Sequence, residues 1–230
     1  MDTTKKRTIR SYVLRQGRMT DAQTRALEQH WTSYGIDREE NQLDIDLVFQ
    51  RTAPRILDIG SGMGETLIKF AERHPENDYL SVEVHKPGVG SLIATADVKQ
   101  LHNIRVFNHD VMEVLQYQLP DRSLDEVYIL FPDPWPKKRH HKRRLVNSHF
   151  IKLLIPKLKS HARIFLATDW EDLAEHMLEI CDGNDELLNL AGEGHFAPRP
   201  VWRPLTKFEN RGIKLGHNVW DLCYGINRQD

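Results

Sequence analysis

Four carboxylates in this chain stand where short apolar runs break into turns: Asp58 in "LDIGSGMGET", Glu83 in "YLSVEVH", Asp110 in "NIRVFNHD" and Asp133 in "LFPDPW". Carboxylates so placed can accept hydrogen bonds from ribose hydroxyls, a base amino group or an ammonium. The first acid is followed by Gly60, Gly62 and Gly64 on a GxGxG spacing, which lets the backbone turn sharply and approach a ligand closely. A dinucleotide fingerprint requires GxGxxG, and its last position here is Glu65, whose charge repels a pyrophosphate.

That mismatch points to an adenosine cofactor without phosphates, and S-adenosylmethionine is the usual one on folds that alternate strand and helix. Asp58 then faces the ammonium of its amino-acid end, with Gly60 and Gly62 beside it. Glu83, 19 residues after Gly64, is placed to accept both ribose hydroxyls. Asp110 is placed to take a hydrogen bond from the adenine amine. Each acid taken singly reads as a surface charge or a helix N-cap. Three at successive strand ends favour the cofactor.

Asp133 lies between Pro132 and Pro134, which restrict the backbone on both sides of it and hold its carboxylate in one place. Immediately after it, six of the eight residues from Lys137 to Arg144 are Lys or Arg. Lys138, Arg139, Lys142, Arg143 and Arg144 read as contacts to the phosphates of a nucleic acid at the lip of a pocket whose floor holds Asp133. A solvated loop is the bland alternative.

The elements that must position these residues follow from periodicity. "RILDIG" reads as a strand entering the glycine turn and "ETLIKFAERHP" as the helix after it. "YLSVEVH", "NIRVFNHD", "LDEVYILFPDPW" and "ARIFLATD" are further strands, each followed by helical spacing. Pro156 shortens the helix expected near 146–159. Two more strands are expected near 187–190 and 219–227. The expectation is an α/β fold, a doubly wound, mostly parallel seven-stranded sheet with ligands beyond the carboxyl ends of its strands. Residues 1–35 read as a basic N-terminal arm carrying Lys5, Lys6, Arg7, Arg10, Arg15, Arg18 and Arg25 and leading into a short helical or extended segment, and residues 36–230 as one domain.

The net charge is −1, from 32 basic and 33 acidic residues unevenly spread. No Lys or Arg occurs between Phe165 and Pro198, where nine acids fall, so a basic face stands apart from an acidic one and suits a polyanionic partner. Cys181 and Cys223 lack CxxC spacing, which argues against a disulfide framework or a zinc site and fits a reducing cytoplasm. His140, His141 and His149 lack metal-ligand spacing, so no metal is expected. No apolar run approaches a membrane span, and the N-terminus lacks a signal-peptide core.

With these residues in view, the chain resembles the bacterial tRNA (guanine-N7-)-methyltransferases. The resemblance runs through "RSYVLRQGRMT", "LDIGSGMGET", "VEVH", "FPDPWPKKRHHKRRLV", "LATDW" and "TKFENRGIKLGHNVWDL", nearly the whole chain. It implies a class I (Rossmann-like) methyltransferase fold, S-adenosylmethionine as methyl donor and transfer to N7 of guanine 46 in the tRNA variable loop. It also implies cofactor contacts at Asp58, Glu83, Asp110 and Asp133, a catalytic role for Asp133, and substrate contacts at Lys137, Asp169, Thr206, Lys207, Phe208 and Glu209. A monomer or homodimer is compatible with it.

The chemistry asks for little more. Guanine N7 carries a free lone pair, so attack on a sulfonium methyl needs positioning, not a general base. The usual Arg clamp on O6 and N7 would block the reacting atom, which leaves the edge bearing N1–H and the 2-amino group. Asp133, Asp169 and Glu209 are candidates to accept from that edge. Two other readings remain at this stage: a methyltransferase acting on another nucleobase or a small molecule, and a noncatalytic RNA-binding protein that kept the fold.

Overall fold

The computed structural model describes residues 10–13, 17–204, 209 and 218–227. Thr20 opens the first helix, α1 (Asp21–Tyr34), with a capping box in which its hydroxyl and the Gln23 side chain satisfy each other's backbone amides. The chain then runs through β1 (Gly35–Ile36), α2 (Ile45–Phe49), β2 (Arg55–Ile59), α3 (Glu65–Arg73), β3 (Asp78–Val82), α4 (Lys86–Val98) and β4 (Ile104–Phe107). Helix α5 (Val111–Glu113) continues into a π turn at Val114–Gln118 and leads to β5 (Leu124–Leu130).

A 3-10 helix over Lys138–Arg143 precedes α6 (Ser148–Leu154), which tightens into a 3-10 turn at Ile155–Lys157, where Pro156 removes a helical amide. Strand β6 (Leu158–Thr168), α7 (Glu171–Asp182), β7 (Leu187–Asn189) and β8 (Trp220–Ile226) complete the described elements.

The strands form one sheet in the order β1-β4-β3-β2-β5-β6-β8-β7. Pairing is parallel from β1 to β6 and antiparallel where β8 meets β6 and β7. Strand β2 lies between β3 and β5, so the connections reverse direction there and leave a crevice at the strand ends. Apolar cores cover both faces, one beneath α5, α6 and α7 around Leu57, Val127 and Ile164, the other beneath α1, α3 and α4 around Ile56, Leu92 and Val106. With both faces covered, β3 is buried along its whole length and β2 in all but Arg55.

One expectation is corrected here. The sheet has eight described strands, not seven, because β1 adds parallel to β4 at the edge. The short helical segment read at the end of the N-terminal arm is α1. Helix α1 packs on α4 with Ala26 and Tyr34 buried, and an added Cβ at Gly90 would stand 2.7 Å from the Gln23 carbonyl oxygen. Helix α1 thus lies so close to α4 that only glycine fits between them.

Candidate active site

The glycine turn after β2 is formed as the spacing requires, with Gly60 and Gly64 at φ of 82° and 83°. Glu83, at the end of β3, holds it: one carboxylate oxygen accepts the Gly62 amide at 2.8 Å and the other accepts the His85 amide at 2.7 Å. Burial raises the Glu83 pKa, and these two amides work against that rise. Gly88 completes the arrangement from α4, since a Cβ there would lie 2.2 Å from the Gly62 carbonyl oxygen. In the sequence Gly88 is just one glycine of "KPGVG". Its need appears only when α4 is laid against the turn.

These elements open onto a cleft of about 630 Å³, lined among others by Gly60, Glu83, Asp110, Phe131, Asp133 and Lys137. Asp110 caps the first turn of α5 by accepting the Met112 amide at 3.0 Å, and its carboxylate also meets the Tyr12 hydroxyl. Asp58 is buried within β2 and is not among the residues that line the cleft, although Ile59 and Gly60 beside it are. Burial, with the Glu83 charge adding to it, pushes the Asp58 carboxyl up to about 7.

The turn carrying Asp133 is bracketed by two bulky residues in the left-handed region, Phe131 at φ 56° and Trp135 at φ 48°. Such residues rarely adopt that conformation, and they keep it only where the surroundings over-determine it. Phe131 donates its amide to the Ala167 carbonyl at 2.8 Å, which joins the ends of β5 and β6. Trp135 donates its indole N–H to the Ser11 carbonyl at 3.0 Å, and the Arg143 guanidinium lies 5.0 Å from its ring centre. Arg144 donates Nε to the Pro134 carbonyl at 3.2 Å. Asp133 itself is exposed at the rim of the cleft.

Arg144 was expected among the phosphate contacts, and the structure corrects this. Its side chain is buried, and its guanidinium pairs with Asp172 and donates to the Asp172 carbonyl at 3.2 Å, tying the Asp133 turn to the start of α7. Lys137, Lys138, Arg139 and Lys142 are exposed on the 3-10 helix or at its entry, and Arg143 is half-buried against Trp135.

Asp169 is half-buried just beyond β6, in the gap before α7. Glu209 is buried, and its carboxylate takes hydrogen bonds from Arg199 and Arg203, so it stands in an internal charge network and not on the wall of the cleft. Thr206, Lys207 and Phe208 lie outside the described residues. Trp202 is packed, stacked 5.3 Å from Tyr128 and edge-on to Phe165 at 4.8 Å. Among the described residues, no group of three or more His, Cys, Asp or Glu side chains is placed to hold a metal, and no helix is long and apolar enough to cross a membrane.

A doubly wound sheet with a glycine turn, an acid closing each of β3, β4 and β5, and a cleft over the switch point defines a class I, Rossmann-like methyltransferase fold. The structure of the 16S rRNA methyltransferase KamB matches it with a TM-score of 0.55 over 92% of this chain and 96% of that one, at 15% identity. TrmN from Thermus thermophilus matches with a TM-score of 0.53 over 79% of this chain and 46% of that one, at 14% identity.

In sequence, the family model described as "Putative methyltransferase" matches residues 52–222. The tRNA (guanine-N(7)-)-methyltransferase of Nitrosospira multiformis is 53% identical over 95% of this chain and 94% of its own length. Those of Idiomarina loihiensis and Neisseria meningitidis serogroup B are 50% and 52% identical, covering 96% and 95% of this chain and 91% of their own lengths. The chain belongs to the tRNA (guanine-N7-)-methyltransferase family.

Proposed function

We propose that this protein transfers the methyl group of S-adenosylmethionine to N7 of guanine 46 in the variable loop of tRNA. The observation that carries the reading is the turn Phe131–Trp135, which holds Asp133 at the mouth of the cleft and runs directly into the exposed basic 3-10 helix. A small substrate has no use for that helix, and a noncatalytic RNA-binding protein has no use for the cleft and its acids.

The residues fit the cofactor. The cleft volume lies within the usual range for a ligand of this size. Glu83 is locked by two amides at the wall where ribose hydroxyls would be accepted, and Asp110 lines the same wall. Asp58 supplies a buried carboxyl whose ionisation favours a nearby ammonium. When bound, the cofactor supplies an electrophilic sulfonium methyl.

The chain's own task is then geometric. Lys138, Arg139 and Lys142 hold RNA phosphates beside the cleft, with Arg143 against Trp135. Lys137, on the cleft wall, lies between phosphate and base. Asp133 and Asp169 accept hydrogen bonds from N1–H and the 2-amino group, which leaves N7 uncovered for attack. The negative charge also stabilises the cation that the purine becomes on methylation. Glu209 contributes through the network that holds it.

The test is incubation with labelled S-adenosylmethionine and unmodified tRNA transcript, followed by borohydride and aniline. Strand scission at one variable-loop guanine is expected. Label transferred without scission would place the methyl on another atom and overturn the N7 reading. Cofactor binding with no transfer to any tRNA would favour the noncatalytic alternative.

A further inference from the structure

We propose that Arg203 is a positioning residue for this reaction: it sets the segments bearing Asp133, Asp169 and Glu209 against one another and itself touches neither substrate nor cofactor. The inference rests on the substrate reading given above.

The Arg203 side chain is 1% exposed. Its Nη1 donates to Glu209 Oε2 at 2.7 Å, and its Nη2 donates to Glu209 Oε1 at 3.1 Å and to Asp221 Oδ2 at 2.9 Å. The centre of the guanidinium lies 5.6 Å from the centre of the Phe131 ring. One planar group thus joins three parts of the chain. Phe131 opens the strained turn two residues before Asp133. Asp221 sits opposite Ala167 across the β6–β8 ladder, two residues before Asp169. Glu209 ends the run Thr206–Glu209.

The neighbours of Arg203 keep the group in place. Arg199 donates Nε to Glu209 at 2.8 Å and Nη2 to the Arg203 carbonyl at 2.7 Å. Trp202, packed between Phe70, Tyr128 and Phe165, anchors the backbone just before Arg203.

Stability alone is a poor explanation for this network. Buried ion pairs contribute little compared with an apolar cluster of the same volume, because each charge loses its hydration. What a guanidinium supplies is a rigid fork that fixes the angle between two acceptors while its face packs on a ring, and an ammonium cannot do both. A displacement of about 1 Å at a reacting centre costs on the order of a hundredfold in rate, so a group that sets the segments bearing Asp133 and Asp169 has a large effect from a distance.

The experiment compares Arg203→Lys, which keeps the charge and loses the fork, with wild type. Calorimetric binding of S-adenosylhomocysteine counts the competent molecules, and turnover on unmodified tRNA is expressed per competent molecule well below the melting temperature. The expected result is a fall in kcat of about a hundredfold, with S-adenosylhomocysteine and tRNA affinities within about twofold of wild type. In the double variant Arg203→Lys with Glu209→Gln, the loss should not exceed the larger single loss, because the two residues act as one unit.

Phe131→Leu leaves every charge paired and removes the ring under the guanidinium together with part of the cleft wall, so its turnover is read beside its S-adenosylhomocysteine affinity, with an expected loss in kcat of about fivefold at unchanged affinity. A kcat per competent molecule equal to wild type in Arg203→Lys, or in Phe131→Leu should the first variant not fold, reduces Arg203 to a stabilising role and overturns the proposal. Losses that multiply in the double variant overturn its action through Glu209. Wild-type protein without N7 methylation overturns the substrate reading and this inference with it, whereas the variant results overturn the inference alone.

Discussion

Glu83 closes β3 and holds the turn after β2, its carboxylate accepting the Gly62 amide at 2.8 Å. Glu83→Ala should therefore damage two things together. The turn loses two charge-assisted hydrogen bonds and the proposed ribose site loses its acceptor, so cofactor affinity should fall by about tenfold or more. The melting temperature should drop by about 4–8 °C, as expected for about 2 kcal/mol in a chain of this length. Calorimetry with S-adenosylhomocysteine and thermal melts of the same sample check both. Unchanged affinity beside a lowered melting temperature would make Glu83 a purely structural residue.

On the proposed role of Asp58, cofactor binding should depend on pH. Its carboxyl is raised to about 7 from an ordinary 3.8, because it is buried and close to Glu83. The folded protein therefore holds this proton more tightly than the unfolded chain does. Stability from this group is fully present below about pH 4 and is lost as pH rises through 7 in the cofactor-free protein. An ammonium ligand favours the ionised form, so affinity should rise by about tenfold between pH 6 and pH 8 and level off above. Titrations across that range in wild type and Asp58→Asn decide it, since the variant should show a flat profile.

Asp133→Asn keeps the shape of the turn and removes the charge. Turnover should fall by about a hundredfold or more, the range seen when a group that stabilises developing charge is removed. Binding of tRNA, measured without methyl transfer, should change little, because the phosphates are held elsewhere. A variant with near-normal turnover would remove Asp133 from the mechanism.

The basic run divides into exposed and buried members, and salt dependence should separate them. Replacing Lys138, Arg139 and Lys142 with Ala should flatten the log-log salt dependence of tRNA binding by about 0.7–0.9 for each phosphate that is no longer neutralised. Arg144→Met should leave that slope unchanged and lower the melting temperature by about 4–8 °C, since it frees the Pro134 and Asp172 carbonyls. A flattened slope in Arg144→Met would return that residue to the RNA surface.

Gly88→Ala tests the fit of α4 against the glycine turn. With a Cβ 2.2 Å from the Gly62 carbonyl oxygen, the turn or the helix has to shift, at about 1–3 kcal/mol. Cofactor binding should be lost before the fold is, which far-ultraviolet circular dichroism and calorimetry would show together.

The residue order by itself determined the repeating strand–helix plan, the acids at the strand ends, the glycine turn and the rigid setting of Asp133. These features are local: a strand period, a turn residue and a flanking proline act over a few positions. The tertiary structure alone decided which charges meet. Arg144 lies in a run of basic residues that looks uniformly solvated, yet it is buried against Asp172, 28 positions away. Glu209 reads as a free acid and pairs with two arginines, while nothing marks Arg203 until Phe131, Asp221 and Glu209 are brought around it. A short helical segment before residue 35 is legible, but its partner is not, because its few apolar residues acquire a core only when α4 lies alongside. Pairing and burial depend on distances across the fold, and these are set by how the layers pack, which no spacing along a chain encodes.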